Sequence, residues 1–119
     1  MSKLYPAKQR RWTELLDLIK AGHEWHNSNR SFRGVRKPVD AAKLPAREWM
    51  SVADYHTMQR AQDMHGIDYL VFSWDTVIAY RNGKGEWWTS NQNHSKSTTF
   101  HQNRIGVVAN VLNEELVRA

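Results

Sequence analysis

Ser97, Thr98, Thr99, His101 and Arg104 fall within eight residues, directly after the polar run Asn91-Gln92-Asn93-His94-Ser95. A histidine can take or give a proton, an arginine can clamp an anion, and the free amides of a helix N-terminus can cradle a phosphate or an oxyanion. Together they suit phosphoester cleavage or nucleotide binding. The same residues also suit a purely structural role. In that reading Thr99 is the N-cap, Gln102 closes a reciprocal capping box, and His101 is a core histidine bonded to the amide-rich loop. The structural reading is preferred over catalysis, and only slightly over simple anion binding at this helix start.

Other candidate chemistry is sparser. His23 and His26 stand three residues apart, a spacing compatible with chelation, but no acidic cluster accompanies them and the His-Glu-x-x-His pattern is missing. Asp63, Asp68, Asp75 and Glu86 are scattered and form no pair for acid-base work. The sequence contains no Walker loop, dinucleotide fingerprint or nucleophile elbow. With zero cysteines there is no disulfide framework and no thiolate metal site. Neither a catalytic residue, a cofactor nor a metal is expected.

The charge is distributed unevenly. Residues 1–60 carry twelve Lys and Arg against six Asp and Glu, while residues 61–119 carry five against six, so the net +5 belongs to the first half. One cluster contains Arg10 and Arg11. The other contains Arg30, Arg33, Arg36, Lys37, Lys43 and Arg47, with Asp40 the only acid among them. Such residues pair with phosphates or with an acidic protein surface, because guanidinium forks fit both. The plainer alternative is a solvated charged face. Trp74, Trp87 and Trp88 are candidate stacking platforms for unpaired bases, although in a strand one of the adjacent pair must face the core.

The elements that position these groups follow from periodicity. Pro6 suits a first helical turn, and Trp12, Leu15, Leu16 and Ile19 recur at helical spacing up to Ala21-Gly22. Residues 22–44 read mostly as loop, with Ser31 to Arg36 able to pair as a short strand and Asp40 to Lys43 able to form one turn. Ser51 with Asp54 resembles a capping box for a helix running to about Met64, closed by Gly66. Tyr69 to Trp74 reads as a strand covered on both faces, Asp75-Thr76 as a turn, and Val77 to Arg81 as the return strand. Asn82-Gly83 suits a type I′ hairpin leading to Glu86 to Thr89. The last helix starts at Thr99 and presents His101, Ile105, Val108, Ala109, Leu112 and Leu116 on one face. Gly106 inside that helix costs about 1 kcal/mol relative to Ala, a cost that a close backbone neighbour would explain.

The fold class expected is α+β, a single domain over residues 1–119 with a small antiparallel sheet of three or four strands packed by about three helices. The chain starts without an apolar signal core and contains no apolar run near the roughly 18 residues of a spanning helix, which points to a soluble protein.

Three runs also carry a resemblance: Tyr69 to Arg81, Gly85 to Trp88, and Ser95 to Asn103. They resemble an uncharacterised family of small proteins encoded by phages of actinobacteria. That family's pattern is Tyr-Ser-Tyr-x-Thr-Pro-Ile-Ala, a Gly-containing turn, a Trp, and Tyr-Ser-x-Thr-Thr-Ser-x-His-Gln. The chain departs from it at Val77, where the family has Pro, and at Phe100, where the family has Ser. The likeness covers the C-terminal half. It implies a phage origin and a workplace in the host bacterial cytoplasm, and carries no activity with it.

The functional expectation is therefore a small basic phage accessory protein that binds rather than catalyses. Nucleic acid is the first candidate partner. A host protein, such as a defence or replication component inhibited by binding, is the second, and a small phosphoester-acting enzyme is the third.

Overall fold

The computed structural model describes residues 2–3, 12–36, 51–90 and 96–118. The expected helix start at Pro6, the turn at Asp40 to Lys43 and the polar run before residue 96 lie outside them.

Among the described residues the order is β1 (Ser2–Lys3), α1 (Trp12–Lys20), β2 (Trp25–His26), β3 (Phe32–Arg36), α2 (Val52–His65), β4 (Ile67–Ser73), β5 (Thr76–Asn82), β6 (Trp87–Thr89) and α3 (Lys96–Arg118). The fold is α+β with three helices. The strands lie in chain order in one sheet, antiparallel from β2 to β6, with β1 added in parallel to β2. The sheet is thus larger than the three or four strands expected. Two residues, the length of β1 and of β2, are too few to show an alternation in sequence.

β4 is buried on both faces, as its bulky sequence requires. One face of the sheet meets α1 and α3 in a core of Leu15, Ile19, Trp25, Phe32, Tyr69, Val71, Trp87, Ile105 and Val108. The other meets α2, where Met58 packs with Ile67, Leu70, Phe72, Val77 and Tyr80. Trp87 and Trp88 part as strand geometry demands: Trp87 enters the first core, and Trp88 stacks on Tyr80 at 4.8 Å.

Helix ends follow local chemistry where the described residues include them. α1 closes in a Schellman motif, with Gly22 at φ 74°, its N–H donating to Ile19 and that of His23 to Leu18. Ser51 caps α2, its Oγ accepting from the Asp54 N–H at 3.1 Å, and Gly66 ends the helix.

Four expectations need correction. α3 begins at Lys96, so Thr99 sits a turn inside the helix and is not its N-cap. Gln102 donates its side-chain amide to the Ser90 carbonyl, fastening the helix to the end of β6 instead of closing a capping box. The β5–β6 hairpin is not of type I′. Asn82 accepts from the Gly85 N–H at 3.0 Å, Gly85 carries the positive φ of 86°, and the Asn82 side chain accepts from the N–H groups of Lys84 and Glu86. Gly83 is needed for room, since a Cβ there would stand 2.0 Å from the His65 carbonyl oxygen. Finally, nothing approaches Gly106, where an added Cβ would meet open space.

Two glycines therefore predict opposite outcomes. At Gly34 a Cβ would come within 2.5–2.9 Å of the buried Trp25 indole, so Gly34→Ala should lower stability by about 1–3 kcal/mol through overpacking. Gly106→Ala should raise it by about 0.5–1 kcal/mol, because the helix gains propensity without a clash. Chemical denaturation of both variants measures the two signs directly.

Candidate nucleic-acid interface

The polar residues that matter gather where β4 ends. Ser73 is fully buried there, with its Oγ 3.0 Å from Thr98 Oγ1 and 2.8 Å from His101 Nδ1. His101 is 7% exposed and lies flat on Phe32, with ring centroids 4.4 Å apart and planes 6° from parallel. Burial, reinforced by the nearby Arg104 charge, lowers its pKa from 6.5 to about 4. The imidazole is consequently neutral at neutral pH and is built into the core. It supplies no positive charge to a phosphate, and the buried Ser73 hydroxyl beside it has no face toward solvent.

Of the other residues expected around this helix start, Thr98 joins the buried contact and Thr99 is exposed on the first turns of α3. Arg104 lies over the Phe100 ring at 4.5 Å, and Phe100 itself is 54% exposed. Ser97 belongs to the helix, while its side chain lies outside the described residues.

Immediately beyond Ser73 the chain turns through Trp74 and Asp75, one residue earlier than expected, and Thr76 pairs back to Ser73. Trp74 adopts φ 54° and is 51% exposed. A bulky residue in the left-handed region costs about 1–2 kcal/mol, which a Gly or Asn at that place would avoid. Its backbone is held on both sides. The Trp74 N–H donates to the Ser31 carbonyl at 2.7 Å, and Arg33 Nη1 donates to the Trp74 carbonyl at 2.8 Å. The Arg33 guanidinium also lies 4.4 Å over the Phe72 ring.

The basic residues divide. Arg33 lies on the α2 face of the sheet, whereas Arg36, three positions on, lies on the α1–α3 face, so β3 does not present them as one patch. Arg30 is exposed in the β2–β3 turn at φ 61°, next to the Ser31 carbonyl that receives Trp74. Arg33 thus touches the Trp74 backbone directly, Arg30 precedes the Ser31 that holds the Trp74 N–H, and Arg36 pairs with Tyr69 at the far end of β3. Arg10, Arg11, Lys37, Lys43 and Arg47 lie outside the described residues. His23 and His26 form no metal cluster: among the described residues no three His, Asp or Glu side chains gather, and the His23 carbonyl accepts from Tyr69 Oη at 2.6 Å.

Sequence reasoning did not single out Ser73, Phe32 or Phe100. Ser73 is 28 residues from His101 and Phe32 is farther still, so only the sheet brings them together. Phe100 carried a signal, an aromatic four positions before Arg104 on the helix.

The buried histidine makes stability depend on pH. Its folded pKa is below its unfolded one, so the unfolded chain takes the proton first. This stability is fully present above about pH 6.5 and is lost as the pH falls through about 4. Melting temperature should decline between pH 6.5 and 5, before carboxylates titrate, and His101→Gln should flatten that decline while lowering stability at pH 7 by about 1–3 kcal/mol. A wild-type profile as flat as the mutant's would refute the assignment. No family model, no curated protein and no solved structure matches the chain.

Proposed function

We propose that the protein is a small basic accessory protein of phage origin that binds nucleic acid in the host bacterial cytoplasm, using the end of the sheet where Trp74 is exposed. The observation that carries this reading is the pairing of exposed aromatic side chains with arginines at one place. Arg33 holds the carbonyl of the exposed Trp74, Arg30 precedes the Ser31 that holds its N–H, and Phe100 lies under Arg104, two residues beyond the Thr98 hydroxyl that meets Ser73. Rings accept stacked bases and guanidinium groups accept phosphates, and both interactions tolerate any base sequence. Unpaired bases suit such a surface better than duplex, whose bases are already stacked. The strained backbone of Trp74 supports the same reading, because an outlier of that kind persists where the side chain's position serves a purpose. No helix among the described residues is long and apolar enough to cross a membrane.

Binding of a labelled oligothymidylate or oligouridylate, followed by fluorescence anisotropy, tests the proposal. Affinity should fall with salt, with a slope of log K against log salt of about -0.7 for each phosphate neutralised. Trp74→Gly should weaken binding by about 1–3 kcal/mol while leaving the fold as stable as before or more so, since it removes a stacked ring and relieves the backbone. Arg30→Glu should weaken binding to all sequences alike. Micromolar protein that fails to bind either oligomer at low salt would overturn the reading, and would favour a host protein as partner, for which aromatic and arginine side chains serve equally well.

A further inference from the structure

A second site lies at the other end of the sheet. β5 separates the Trp74 turn from the Asn82–Glu86 hairpin by roughly 20 Å, six residue steps of an extended strand. Between that hairpin and the C-terminal ends of α1 and α3 runs a groove of about 540 Å³, within the size range of small-molecule sites. Its apolar side is formed by Ile19 of α1, Trp87 of β6, and Leu112 and Leu116 of α3. Leu116 continues the apolar face of α3 past the core and is 41% exposed, so the last apolar step of that face opens onto the groove.

Opposite stands Arg81. Its Nε donates to Asp68 at 2.7 Å, and its guanidinium is held 5.5 Å from the Tyr69 ring and 6.0 Å from that of Trp87. These contacts fix the plane of the guanidinium and use one of its three nitrogens. The two terminal nitrogens make no hydrogen bond among the described residues, and neither does the ammonium of Lys84, which lines the same groove. Lys20 and Glu115 pair with each other at 2.9 Å across the same groove. With Arg81 offset by Asp68 and Lys20 by Glu115, Lys84 leaves the lining with one excess positive charge.

A positioned guanidinium fork, a free ammonium and an aliphatic wall are complementary to one chemical class. We propose that this groove binds a small amphipathic anion, its carboxylate or phosphate head on Arg81 and Lys84 and its aliphatic body along Ile19, Leu112 and Leu116. This site is independent of the nucleic-acid surface.

The test uses octanoate and octyl phosphate as probes, with octanol as the tail without a head and inorganic phosphate as the head without a tail. Thermal melting and backbone amide NMR shifts are recorded for the full chain. Both anions should raise the melting temperature at millimolar concentration and shift the amides of Arg81, Lys84 and Trp87, and neither control should do so. A response to one anion alone upholds the proposal and identifies the head. Lys84→Ala, an exposed change that leaves Asp68 paired, should weaken binding about two- to fivefold, and Arg81→Gln should abolish it. Trp74→Gly should leave it intact, so that failure here and failure of the nucleic-acid reading are told apart. The proposal is overturned if neither anion acts, if octanol or inorganic phosphate acts as well as the anions, if the shifts centre elsewhere, or if Lys84→Ala binds as the wild type does.

Discussion

A strand buried on both faces cannot stand at a surface, and β4 is such a strand. Its residues from Tyr69 to Ser73 are all buried, alternately against α1 and α3 on one side and against α2 on the other. That constraint dictates the layered arrangement: the sheet has to lie between helices, and its neighbours β3 and β5 have to pair along the length of β4 to satisfy its backbone. From Tyr69 onward the sequence of β4 is apolar enough to meet this demand except at its last position. Ser73 puts a hydroxyl into the core, and a buried hydroxyl requires partners.

Those partners come from α3, and they fix the register of the helix against the sheet. Thr98 and His101 lie one turn apart on the helix and reach the same Ser73 oxygen, so sliding or rotating α3 would break both contacts. Phe32 stacks on the histidine from β3, bringing a third segment to the same point. The buried polar joint thereby ties three segments that are distant in sequence. Its consequence for function is positional. The residues just outside the joint, Trp74 after Ser73 and Phe100 after Thr98, are carried to the surface at one end of the sheet.

The opposite end is organised by amides and charges instead. Asn113 of α3 accepts from the Trp87 N–H at 2.9 Å and donates to the Trp87 carbonyl at 3.1 Å, so a side-chain amide takes the place of a further strand at the edge of β6. Asn82 organises the neighbouring hairpin in the same way. With backbone groups satisfied by side-chain amides, Arg81 and Lys84 retain donors for something else. The two ends of the sheet therefore differ: one exposes the rings of Trp74 and Phe100, the other a guanidinium and an ammonium along a groove with aliphatic side chains.

Much of the fold was legible in the chain. The core face of α3 from His101 through Leu112, the span of α2 between Ser51 and Gly66, the stop of α1 at Gly22 and the three C-terminal strands all rest on local rules of spacing, capping and turn chemistry, which operate within a few residues. The same locality explains the misses. Thr99 has the residue type of an N-cap, but the Ser73 contact holds its neighbour Thr98 within a helix that has already begun at Lys96. Asn82-Gly83 has the composition of a type I′ turn, but the approach of His65 decides what Gly83 is for. Arg33 and Arg36 look like one basic cluster in sequence, yet alternation across β3 sends them to opposite faces. The amino-acid sequence by itself determined which segments are helix or strand and which sides of them are apolar, because those properties depend on near neighbours. Only the tertiary structure decided which polar residues are buried and which charges stand together, because those contacts join residues that sheet pairing brings from 25 to 69 positions away.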